Sequence, residues 1–75
     1  MKGFEQAARE AQEFALSLHS EGYFTVISVR TDKWQLSYIK LRHRTNKNII
    51  VVQAQGNTWL ARKNGRIIKS VTVSE

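Results

Sequence analysis

Seventy-five residues make one small domain, and a chain of that size buries only about 60 to 65% of the surface its unfolded form exposes, leaving little core to spare. The absence of cysteine excludes a disulfide framework and a thiolate metal site, suits a reducing compartment, and makes the cytoplasm the expected location. Twelve Lys and Arg stand against six Asp and Glu, a formal charge of +6, and that excess has to be placed.

Phe4, Ala7, Ala8, Ala11, Phe14, Ala15 and Leu18 form one apolar stripe at the 3.6-residue period, which predicts an amphipathic helix over 3–20. Its alanines allow close approach to whatever it covers, and Gly22 falls where a left-handed C-cap ends a helix. Leu16 lies off the stripe and is expected on the surface. The glutamates scattered through residues 1–22 do not suit a signal peptide, and the longest apolar run, 49–52, is far too short to cross a bilayer. No membrane association is expected.

After Gly22 the period changes to two and β-branched and aromatic residues dominate. Strands are predicted at about 23–31, 34–44, 49–55, 58–63 and 66–73, joined near 32–33, 45–48, 56–57 and 64–65. Asn64-Gly65 between apolar runs is the sharpest turn signal, because a type I′ hairpin needs positive φ at both central residues. Trp34, Leu36 and Tyr38 share one parity while Ile39 and Leu41 take the other, which predicts a bulge or sharp bend near Tyr38. Trp59 alternates with Ala61 and belongs with the core.

Short connections favour antiparallel neighbours. The expected fold is therefore α+β: an N-terminal amphipathic helix packed on a four- to five-stranded antiparallel β-meander, with curling toward a small barrel left open. No linker, repeat or proline divides the chain. One helix followed by five short strands is an element order shared with the Sm-like RNA-binding proteins. Here, however, Asn-Gly belongs to the last hairpin, no counterpart of their strand motifs is present, and no family is assigned.

Charge is distributed unevenly. Residues 1–22 hold two cations against four glutamates, a net of −2, whereas residues 23–75 hold ten cations against Asp32 and Glu75, a net of +8. A meander places alternate turns at the same end of the sheet, so the 45–48 and 64–65 turns should meet. That end would carry Arg42, Arg44 and Lys47 from one hairpin and Arg62, Lys63 and Arg66 from the other, six of the twelve cations, with His43 among them.

Concentrating like charge costs self-repulsion unless a polyanion uses it. Guanidinium and ammonium groups on two adjacent tips suit phosphate, so the expected function is non-enzymatic nucleic-acid binding, DNA or RNA. Lys40 and His43 are further candidate contacts. Trp34 and Tyr38 share a parity with Lys40, Arg42 and Arg44 and are candidate stacking platforms, set against their more ordinary use as core. The alternative reading is a protein-interaction module, an inhibitor, regulator or accessory subunit, docking its basic end on an acidic protein surface. Pairing of exposed edge strands into a homo-oligomer is compatible with either.

Catalytic patterns are missing. The chain has no Gly-rich phosphate loop, His-x-x-x-His pair or nucleophile elbow, and Asp32 is the sole carboxylate between residue 22 and Glu75. No metal or other cofactor is expected. His43 between two arginines could assist metal-free RNA cleavage, a weaker reading than simple contact. His19 is placed to complement the helix dipole rather than to hold a metal.

Overall fold

The computed structural model describes residues 3–30 and 37–72. Helix α1 (Phe4–Ser20) leads into strands β1 (Tyr23–Val29), β2 (Tyr38–His43), β3 (Ile49–Gln55), β4 (Thr58–Lys63) and β5 (Arg66–Thr72). The strands lie in chain order and every neighbouring pair is antiparallel. The expected α+β meander is therefore the fold, with five strands rather than four. It does not close into a barrel, since β1 and β5 form opposite edges of the sheet.

Helix α1 packs on one face of the sheet, against β1, β3 and β4. Ala7, Ala8, Ala11, Ala15 and Leu18 are buried along its inner side; the Phe4 side chain lies outside what the structure describes. Methyl side chains let the helix settle close to a sheet whose own residues supply the volume. Those residues alternate as period two requires: Ile39 and Leu41 on β2, Ile50 and Val52 on β3, Trp59 and Ala61 on β4, with Tyr23 opening β1. The register puts Ile39 beside Val52 and Val52 beside Ala61, so the core is one continuous row beneath the helix. Leu16 is exposed, as expected. Among the described residues no helix is long and apolar enough to cross a membrane.

The helix stops where glycine allows it to. Glu21 N donates to Leu18 O and Gly22 N to His19 O, and Gly22 takes φ +102°, the left-handed cap that turns the chain into β1. His19 serves the same junction, its Nε2 lying 2.9 Å from Thr25 Oγ1 on β1.

Irregular pairing is confined to the edge strands. In β1 the register skips Val26, between Thr25 opposite Leu41 and Ile27 opposite Lys40. In β5 it skips Ile68, between Ile67 opposite Arg62 and Lys69 opposite Ala61. Near Tyr38, where a bulge or a sharp bend is expected, no bulge is present: β2 pairs with β3 in unbroken register from Tyr38 to Arg42. The chain does bend at Ser37, while Trp34 and Leu36 lie outside the described residues. A bulge twists an edge and interrupts its free hydrogen-bonding groups, which makes each edge a poorer template for a further strand.

Trp59 is buried as expected, with Phe14 against it at 6.5 Å between ring centroids. The Lys69 ammonium lies 5.1 Å from the Phe14 centroid and 5.8 Å from that of Trp59, so this cation is engaged with rings of the core. The Trp59 indole N–H is buried and has no hydrogen-bond partner among the described residues, a cost of about 1–3 kcal/mol. Replacing Trp59 by Phe removes that donor along with part of the ring, and the two effects offset. Chemical denaturation should show Trp59→Phe costing less than about 1 kcal/mol and Trp59→Ala about 3–5 kcal/mol. Equal costs for the two variants would show that the phenyl ring cannot replace the indole.

Candidate nucleic-acid interface

Antiparallel order brings three turns to one end of the sheet: 21–22, 44–48 and 64–65. The first hairpin tip is closed by His43 N donating to Asn48 O at 2.8 Å. Asn46 Oδ1 accepts from Asn48 N at 2.9 Å, and Lys47 takes φ 63° to let the chain return. At the second tip Asn64 and Gly65 have φ 52° and 88°, the pair of positive values that a type I′ turn requires.

Asn64 then joins the tips. Its backbone N–H donates to Ile49 O at 2.8 Å, its Oδ1 accepts from Ile49 N at 3.0 Å, and its Nδ2 donates to Asn48 Oδ1 at 3.1 Å. One side chain thus supplies both the left-handed conformation of its own turn and the hydrogen bonds that hold the neighbouring turn beside it. The rim expected from the order of the strands exists, and it is tied together.

His43 anchors the rim to the helix. Because Glu21 O can only accept, the 3.0 Å contact from His43 Nε2 places a proton on that nitrogen. Nδ1 then accepts from Thr45 N at 3.2 Å and Asn46 N at 3.3 Å, with Thr45 Oγ1 at 3.1 Å. The ring meets Tyr23 edge-on at 4.8 Å. Neither nitrogen is left over for a phosphate or a substrate hydroxyl unless a bond within the fold breaks, so the structure uses His43 as a pin. Gly22 is part of the same contact: a Cβ there would sit 2.8 Å from His43 Nε2.

The remaining candidates divide between tip and sheet. Arg44 and Lys47 lie on the first tip, and Lys63 and Arg66 face one another across the second. Arg42, Arg62, Lys40 and Tyr38 alternate with buried residues and so stand on the sheet face that the helix does not cover. Register aligns a row across that face from edge to edge: Ile27, Lys40, Val51, Arg62, Ile67. Phe24 pairs with Arg42 on the rim side of this row, and Val29 with Tyr38 on the far side. Trp34 lies outside the described residues.

All four carboxylates among the described residues, those of Glu5, Glu10, Glu13 and Glu21, belong to α1 or its C-cap. The fold brings the backbone carbonyl of Glu21 to the basic rim, 22 positions from His43 in the chain, where sequence neighbourhood gave no sign of it. The second feature that sequence reading missed is apolar. Phe24, Val26, Ile27, Val29, Ile67 and Ile68 are all between 41% and 57% exposed. Their signal was present as apolar residues on both parities of 24–29 and as the adjacent pair 67–68. Among the described residues no group of His, Asp and Glu converges as a metal site requires.

Compared with known families, curated proteins and solved structures, the chain matches none.

Substitutions at Gly22 and Asn64 test how the rim is held. Gly22→Ala forces a side chain into a left-handed φ and against His43, and should cost about 2 kcal/mol or more in a denaturant melt; adding His43→Ala should relieve the steric part of that cost. Asn64→Gly keeps the positive φ but loses two side-chain hydrogen bonds, for about 1–3 kcal/mol. Asn64→Ala should cost about 1 kcal/mol more, through its unfavourable backbone. Wild-type stability for Asn64→Gly would mean the amide tie is not needed.

Proposed function

We propose that this chain is a small non-enzymatic nucleic-acid-binding protein of the cytoplasm that contacts phosphates through its two adjacent hairpin tips. The observation that carries the reading is the bonding of Asn64 to Asn48 and Ile49. It holds Arg44 and Lys47 beside Lys63 and Arg66, with Arg42 and Arg62 on the adjoining strands. From residue 37 to 72 the chain carries eight Lys and Arg and no carboxylate, a field of one sign that raises encounter rates with a polyanion. Each phosphate contact releases condensed counterions, so affinity falls with salt by about 0.7 to 0.9 log units per contact per decade.

The test is an oligonucleotide titration at several ionic strengths. Neutralising the tips with Arg44→Gln, Lys47→Gln, Lys63→Gln and Arg66→Gln together should weaken binding and lower the log–log salt slope by about 3. Binding that ignores salt, or no binding to any DNA or RNA, removes the proposal.

A second reading draws on the exposed apolar residues of β1 and β5, for which phosphate has no use. In that reading the basic end docks on an acidic protein surface and the apolar residues complete the contact. It requires a single protein partner whose capture survives nuclease digestion; release of the partner by nuclease counts against it.

A further inference from the structure

We propose that the uncovered face of the sheet selects single-stranded nucleic acid, taking unstacked bases against Phe24 and Tyr38 and their phosphates on Lys40, Arg42 and Arg62. The inference rests on the nucleic-acid reading above and narrows it to one form of the polymer. Three observations carry it: among the described residues nothing covers this face, its margins are apolar, and its charge is of one sign.

Phe24 and Ile27 on β1 are 41% and 47% exposed and Ile67 on β5 is 57% exposed. Between these apolar margins Lys40 and Arg62 flank Val51 in the row that crosses all five strands. Two strand spacings separate the flanking cations, about 9.6 Å, and Arg42 follows Lys40 by about 6.8 Å along β2. Phe24 lies directly across the ladder from Arg42, and Tyr38 is two residues from Lys40 on the same face. Rings and cations therefore share one strip about 14 Å long, the arrangement that lets bases stack while the backbone follows positive charge.

Other occupants of this face meet physical objections. A second copy packed face to face would bury three cations from each chain with no described carboxylate to pair them, at several kcal/mol for each unpaired ion. A duplex hides its bases, and five strands about 19 Å across from edge to edge exceed a major groove about 12 Å wide. The polymer that matches both the charge and the apolar surface is a single strand with its bases free.

Fluorescence anisotropy of the full chain with a labelled mixed-sequence 12-mer, as single strand and as duplex at the same salt concentration, tests this. The single strand should bind at least about tenfold tighter. Phe24→Leu and Tyr38→Leu keep apolar bulk and so the fold, which circular dichroism melts will verify. Each should weaken the single-strand complex by about fivefold or more without changing its salt slope, whereas Tyr38→Phe should bind like the wild type. Equal or tighter binding of the duplex, with the ring variants indistinguishable from wild type, overturns the selection of single strands while leaving phosphate contact by the tips standing. Absence of binding to either form overturns both readings. If the chain then dimerises in solution and Ile27→Lys abolishes the dimer, the face belongs to a second copy.

Discussion

The arrangement depends on one asparagine. A two-residue hairpin loop requires positive φ at both positions, and Asn64 accepts that conformation at less cost than a branched or bulky residue would. Once there, its amide reaches Ile49 and Asn48 across the end of the sheet, so the geometry of one turn positions the other. The β3–β4 ladder and the backbone bond from Asn64 N–H to Ile49 O already set the tips side by side, and the side-chain amide adds two bonds that brace them against their mutual repulsion. Like charges are thus held side by side by hydrogen bonds that they do not themselves make.

The second constraint is the shortage of covering material. One helix of 17 residues can shield one face of a five-stranded sheet, and its stripe of alanines shows that it does so at close range. Among the described residues nothing covers the opposite face, and its apolar residues stay in place. In a chain of this size that is expensive, since scattered exposed side chains are ordinary, but Phe24, Val26, Ile27 and Val29 follow one another along a single strand, and such a grouping generally marks a contact. The bulges at Val26 and Ile68 interrupt the regular ladder of both edges, which directs interest toward the face rather than the edges.

Much of the fold was legible from period alone. The 3.6-residue stripe ending at Gly22 located α1, and the change to period two, punctuated by Asn-Gly and Gly-Asn, located the last three strands to within a residue or so. Short connections then fixed their order, and with it the meeting of the two basic tips. What escaped was whatever depends on distance along the chain: the Glu21 carbonyl arriving at the rim, His43 held by amides and a carbonyl from two turns of chain, and Asn64 bonding to a turn 16 residues earlier. The parity slip around Tyr38 predicts a bulge or a sharp bend, and the chain bends at Ser37; the bulge in β1 is a separate feature, opposite Lys40 and Leu41.

The most direct test of a rim and face acting as one surface is a heteronuclear NMR titration of the labelled chain with a short oligonucleotide. Amide and side-chain signals of residues 42–49 and 62–67 should shift together and to the same saturation point, joined by those of Phe24, Tyr38 and Lys40, while the exposed side of α1 stays unmoved. Shifts confined to one tip, or centred on α1, would contradict the account.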